Sequence, residues 1–275
     1  MDKIKQIMNN RPSKNMGCDI SPRALEKWNP AVNASESGKN TISILDVIGD
    51  DFWGEGVTAK RVAAALRSIG ENNDVEVIIN SPGGDLFEGL AIYSLLKEHK
   101  GKVTVKVLSL AASAASVIAM AGDEIKIARA GFFMIHNTWV FGIGNRHDLR
   151  EIADWLEPFD SAMADIYQSQ TGMDIKKIVS MLDNETWIGG TAAIEQGFAD
   201  SYLDSDEIKE DNKNNAKFSA QKLDLIMAKS GIPRSERRKL IADIKGSTQN
   251  ATDTQNAVTF NEPLVKLTFD HKLEV

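Results

Sequence analysis

From Thr41 onward the chain alternates between two kinds of apolar pattern. Runs of six to nine residues rich in β-branched side chains (TISILDVI, VEVIIN, KVTVKVLSL) are followed by stretches in which apolar residues recur at three- and four-residue steps (VTAKRVAAALRSIG, DLFEGLAIYSLLKEH, SAASVIAMAG). The first kind predicts buried strands and the second amphipathic or buried helices. Their repetition as β-α-β units predicts an α/β fold, a mainly parallel sheet with helices on both faces. Two shorter strand candidates follow, DEIKIA and GFFMIHN, and then a long helical pattern from Arg146 to Gln170. Its apolar residues Leu149, Ile152, Trp155, Leu156, Phe159, Met163 and Ile166 share one face, which must bury against the domain or another subunit, and Pro158 is expected to kink it. A helix over DIKKIVSML leads into NETWIGGTAAIEQGFAD, where Gly197 ends a short helix before a last strand.

Composition divides the rest. Residues 1–38, rich in Asn, Ser, Lys and Pro, read as a loosely docked N-terminal arm, residues 39–204 as the compact domain, 205–216 as a charged linker and 217–275 as a basic extension. Between 217 and 245, eight Lys/Arg face three Asp/Glu, a local +5 in a chain whose total is −7, so the remaining residues carry −12. Within that stretch LDLIMAKSG and SERRKLIADIK predict two short helices broken by Gly231 and Pro233, a solvated hairpin or a docking element.

An excess of 39 acidic over 32 basic residues gives no global cationic field, which argues against a general nucleic-acid binder. The uncharged segment Val107 to Gly122 is sixteen residues long and carries three serines, short of the roughly 20 apolar residues of a membrane span, so a buried strand running into a buried helix is expected instead. The single cysteine, Cys18, allows neither an intrachain disulfide nor a Cys-rich zinc site, and residues 1–17 lack an apolar core of signal-peptide length. Both point to the cytoplasm.

Candidate chemistry begins at Asn80-Ser81-Pro82-Gly83-Gly84, a turn between a strand and a helix starting near Asp85. Paired glycines let successive amides aim at one point, as an anion or developing oxyanion requires, although such a sequence also serves simply as a turn. A second helix start, Ala111-Ala112-Ser113-Ala114-Ala115-Ser116, offers a serine beside small neighbours, and the pattern does not separate Ser113 from Ser116. A nucleophilic serine needs a base. Of the four histidines, His99, His147 and His271 have surface explanations, whereas His136 ends the apolar strand GFFMI, as a base or as a satisfied core histidine. Asp183 and Glu185 are candidates for the acid that fixes the imidazole tautomer.

In this order the pieces resemble the proteolytic subunit of the Clp proteases, serine peptidases of the Clp/crotonase fold. The resemblance spans about residues 40–204 and rests on SPGG with its following helix, AAS nine residues before Gly122, the strand ending Met134-Ile135-His136, and Trp187 to Asp200 ending EQGFAD. It implies a repeated β-α-β spiral with a protruding long helix. It implies Ser113 as nucleophile, His136 as base, and the backbone amides of Gly84, Asp85 and Ala114 as oxyanion donors. The family's aspartate two residues before the aromatic is Glu185 here, with Asp183 as the alternative acid.

AASAAS, ETW, the polar arm and the basic extension resemble the phage and prophage branch, which processes capsid proteins during head maturation. The resemblance thus implies metal-free, cofactor-free peptide hydrolysis, polypeptide substrates such as capsid or scaffold protein, and a homo-oligomeric ring in the bacterial cytoplasm or the prohead. It implies neither a membrane nor a specific nucleic acid as partner. The competing readings are a housekeeping subunit served by an unfoldase ATPase, a crotonase-like acyl-CoA enzyme, a Ser/Lys peptidase and an inactive scaffold.

Overall fold

The computed structural model describes residues 17–18, 20–34, 38–49, 56–204, 208–210, 220, 223–224, 227 and 232–252. His271 and the ends of the predicted arm and extension lie outside them. The chain divides into two units, Met1–Leu225 and Ile226–Val275.

The first unit is built on a seven-stranded sheet. Strands β3 (Thr41–Ile44), β4 (Val75–Ser81), β5 (Val103–Ala112), β6 (Glu124–Ile127) and β10 (Ser201–Tyr202) run parallel in the order β10-β6-β5-β4-β3. Strand β5, ten residues long, is shared between two neighbours. Its first half pairs with β6 (Thr104↔Glu124 to Val107↔Ile127) and its last three residues with β7 (Phe132–Ile135), in the register Leu110↔Phe132 to Ala112↔Met134. β9 (Thr186–Gly189) lies antiparallel on β7.

Alternation sorts the strands' side chains. Val75, Val77 and Ile79 on β4 and Val103, Val105 and Val107 on β5 point into the main core. There they meet Val62 and Leu66 of α2 (Ala59–Ile69), Ile92 and Leu96 of α3 (Leu86–Lys97), and the wholly buried α4 (Ala114–Ala119). The long α5 (Arg146–Thr171) adds Phe159, Met163 and Tyr167 to the same core, and α6 (Ile175–Asp183) adds Ile178 and Leu182. Phe87, Trp155 and Phe159 form a cluster of tilted and edge-on rings. α5 runs as one continuous helix through Pro158.

Helices α2 to α6 therefore cover one face, and the opposite face has less helical cover than expected, with only α1 upon it among the described residues. Part of it is open, with Lys106–Glu76, Lys102–Glu124 and Lys126–Glu124 ion pairs at 2.9, 2.6 and 3.3 Å. The other part is covered by the N-terminal segment, which departs from the expected loosely docked arm. α1 (Pro22–Lys27) and its flanks bury Ile20, Ala24, Leu25 and Trp28 against Leu110, Ala112 and Met134. The Trp28 indole N–H donates to the Asn80 carbonyl at 2.9 Å, and the Asn80 amide donates to the carbonyls of Asn29 and Val32. Four apolar side chains, two in the helix and two beside it, suffice to hold a segment whose composition is polar, because they are the ones that face the sheet.

β1 (Gly17–Cys18) pairs with β8 (Val140–Phe141), and β2 (Val32–Ala34) pairs with β11 (Ile208–Glu210). The latter turns three residues of the expected linker into strand. α7 (Gly190–Glu195) precedes β10. In the second unit, α8 (Arg234–Thr252) contains the predicted SERRKLIADIK helix and buries Ile241.

Candidate active site

The register of two ladders assembles the site. Ala112↔Met134 sets the residue after β5 beside the end of β7, and the Ser113 amide donates to the Met134 carbonyl at 2.8 Å. Ser113 then leaves the strand at φ 53°, ψ −123°, a sharp strand-to-helix turn that a non-glycine residue adopts only when its surroundings impose it. This turn carries the side chain out of the sheet, and Ser113 Oγ lies 2.7 Å from His136 Nε2. His136 is 8% exposed, and burial lowers its pKa below the ordinary histidine value, against the raising influence of the Glu185 charge. A neutral ring protonated at Nδ1 has Nε2 free to accept the Ser113 hydroxyl proton across this contact.

The antiparallel register Ile135↔Thr186 places His136 across from Glu185, which itself has φ 45°. Of the two candidate acids, Glu185 is therefore the one whose charge acts on the imidazole, although no hydrogen bond joins them. The Glu185 carboxylate accepts from the Trp187 indole (3.3 Å), from Arg23 (3.4 Å) and from the Ser21 hydroxyl (3.4 Å), and Lys27 lies 4.3 Å over the Trp187 ring. Asp183 accepts from the Asn137 side-chain amide at 2.8 Å. Asp160, on α5, accepts from the Thr138 amide at 2.6 Å, and burial raises its pKa. Both aspartates thus hold the segment that follows His136.

The glycine turn lies against the serine. Gly83 has φ 90°, and a Cβ built there would meet the Ala112 carbonyl oxygen at 2.6 Å and Ser113 Cβ at 2.9 Å. Only glycine permits this approach. Gly84 forms a parallel bridge with Ile48, in which the Ile48 amide donates to the Gly83 carbonyl and the Asp85 amide donates to the Ile48 carbonyl, both at 2.9 Å. That pattern leaves the Gly84 N–H on the side away from Ile48. Among the described residues neither the Gly84 nor the Ala114 N–H has a hydrogen-bond partner. The Asp85 amide is already engaged by Ile48, which removes it from the expected set of oxyanion donors.

Ser116, the alternative serine, is fully buried, and its hydroxyl lies 2.6 Å from the Ser113 carbonyl and 2.8 Å from the Tyr167 hydroxyl. His99 Nε2 bonds the Asn73 carbonyl at 2.7 Å, and His147 accepts from Arg146 at 3.2 Å, both on the surface. Among the described residues no three His, Cys, Asp or Glu side chains are grouped to hold a metal ion.

The sequence reading missed Ser21, Arg23, Asp160 and Tyr167. Only Tyr167 left a signal, one helical turn beyond Met163 on the apolar face of α5, where a buried phenol needs a polar partner.

A serine hydroxyl on an imidazole, a carboxylate across from that ring and two amides beside it, unpartnered among the described residues, are the parts of a serine hydrolase. Residues 41–206 match the Clp protease family. The chain is 28% identical over 155 residues to the ATP-dependent Clp protease proteolytic subunit of Deinococcus radiodurans, covering 54% of this chain and 76% of that protein. It is 29% identical over 166 residues to the ATP-dependent Clp protease proteolytic subunit 1 of Prochlorococcus marinus, covering 58% and 85%. It is likewise 29% identical over 163 residues to subunit 1 of Chlamydia muridarum, covering 55% and 84%. The chain belongs to the Clp protease family.

Proposed function

We propose that this chain is a serine endopeptidase in which Ser113 is the nucleophile, His136 the base and Glu185 the acid. The observation that carries the reading is the 2.7 Å contact between Ser113 Oγ and His136 Nε2 at a backbone turn with φ 53°. Ser113 Oγ bonds to the scissile carbonyl carbon as its proton passes to His136 Nε2, and the oxyanion accepts from the Gly84 and Ala114 amides. His136 gives that proton to the leaving amine as the C–N bond breaks. Water, deprotonated by the same ring, then cleaves the acyl-enzyme and restores the Ser113 hydroxyl. Glu185 stabilises the transient imidazolium, accepting from Nδ1 after a side-chain rotation away from Arg23 and Trp187.

The substrates we assign are capsid and scaffold proteins during phage head maturation, processed by a homo-oligomeric ring in the cytoplasm or within the prohead. Support comes from the polar segment before the family match and from the basic stretch after it, with +5 between residues 217 and 245. The name of the Deinococcus relative supports a second reading, a subunit fed by an ATPase.

Fluorophosphonate labelling with peptide mapping tests the chemistry: modification at Ser113, lost in Ser113→Ala, is expected, and an unlabelled protein overturns it. Incubation with assembled capsid and scaffold precursor tests the substrate. Cleavage without nucleotide is expected, whereas cleavage that needs an ATPase and ATP favours the second reading. Mass spectrometry of wild type and Ser113→Ala reveals any self-processing of the extension.

A further inference from the structure

The Ser113 carbonyl oxygen accepts from three donors at once. It receives the Ser116 amide at 2.9 Å, the Val117 amide at 3.2 Å and the Ser116 hydroxyl at 2.6 Å. A carbonyl only accepts, so the single Ser116 hydroxyl proton is committed to it. The Tyr167 hydroxyl, 2.8 Å from Ser116 Oγ, must then be the donor in that second contact. The direction of the chain is fixed: Tyr167 O–H to Ser116 Oγ, and Ser116 O–H to the Ser113 carbonyl.

Packing alone does not call for these hydroxyls. Ser116 is 0% exposed and Tyr167 1%, and the neighbours of Ser116 on α4 are Ala114, Ala115, Val117, Ile118 and Ala119, all buried. Alanine would fill the position without bringing a polar atom into the core. Burial also pushes the Tyr167 phenol pKa up, so it stays a protonated donor throughout the neutral range.

The accepting carbonyl belongs to the same peptide unit as the Ala114 N–H. Drawing electron density toward the oxygen of a peptide makes its N–H a better donor, and successive hydrogen bonds polarise one another in this way. We infer that Ser116 and Tyr167 form a buried hydroxyl relay that orients and polarises the Ser113–Ala114 peptide, so that its N–H faces the developing oxyanion as a strengthened donor. The inference rests on the serine-peptidase reading above and adds two positioning residues to it. It also ties the oxyanion site to α5, since Tyr167 is a residue of that helix.

An oxyanion donor is worth about 10²- to 10³-fold in rate, and cooperative strengthening is about 10–30% per bond, so losing the relay should slow acylation roughly two- to eightfold. The test measures the second-order rate of fluorophosphonate labelling at Ser113, together with kcat and KM on a short fluorogenic peptide. Wild type, Tyr167→Phe, Ser116→Ala and the double variant are compared, each checked by thermal melting. Tyr167→Phe, nearly isosteric, is expected to lower the labelling rate and kcat with KM unchanged, and to have no further effect in the Ser116→Ala background. Unchanged rates, a change confined to KM, or the same loss from Tyr167→Phe with and without Ser116 would overturn the relay. A Tyr167→Phe protein that is unfolded would show a purely structural role and overturn it as well. Wild type that neither labels nor cleaves would sink the peptidase reading itself, a distinct failure.

Discussion

Glu185 stands across from His136 one residue beyond the paired ends of β7 and β9, yet its carboxylate bonds Trp187, Arg23 and Ser21 and leaves the imidazole Nδ1 without it. The carboxylate acts on the ring through its charge, pulling the His136 pKa upward against the larger effect of burial. Two of its partners come from the N-terminal segment, so the part of the chain least like a folded domain in composition reaches the site.

The balance on His136 sets a pH dependence. Its pKa lies below the ordinary value of about 6.5, and only the neutral ring accepts the Ser113 proton, so the labelling rate should hold through neutrality and fall on acidification with a midpoint below 6.5. A depressed histidine pKa also means that the unfolded chain binds the proton better. Its contribution to stability is therefore intact above about pH 6.5 and lost as pH falls toward the folded-state value. A pH–rate profile with a midpoint above 7 would contradict this.

Glu185→Gln and Asp183→Asn should separate the two acids. The first keeps the shape but removes the charge opposite the ring, and a loss of roughly 10²-fold or more in kcat is expected. Asp183 bonds Asn137 instead, so Asp183→Asn should cost less than about tenfold. Steady-state kinetics of both variants decides, and the reverse order would move the acid's role to Asp183.

Gly83→Ala should destabilise the protein by about 2–4 kcal/mol and abolish labelling. The methyl group would be forced onto the Ala112 carbonyl at 2.6 Å in a backbone conformation with φ 90°. Thermal denaturation gives the first quantity and the fluorophosphonate reaction the second.

Trp28→Ala should cost about 3–5 kcal/mol, as expected for a large aromatic buried to 2% exposure whose indole also donates a hydrogen bond. A near-neutral change in melting would mean that the N-terminal segment is as loosely attached as its composition suggests.

Much of the fold was legible because its signals are local. Alternation in VEVIIN and KVTVKVLSL, three- and four-residue apolar steps on the helices and the glycine pair need no distant residue to be read. Ser113, His136 and the glycine turn could be named as candidates on the same basis. The docking of residues 20–28 is not legible in this way, because average composition hides the four side chains, Ile20, Ala24, Leu25 and Trp28, that bury them.

The sequence by itself determined the α/β alternation, a serine at a helix start after a strand, and a histidine at the end of an apolar strand. Only the tertiary structure decided which groups meet. The Ala112↔Met134 and Ile135↔Thr186 registers bring His136 beside Ser113 and Glu185 across from His136, while helix packing buries Ser116 against Tyr167 and the Ile48–Gly84 bridge engages the Asp85 amide. The physical reason is that strand register is set by how whole faces of the sheet bury, a sum over many side chains distant in sequence. A slip of one residue would turn each of these groups to the opposite face.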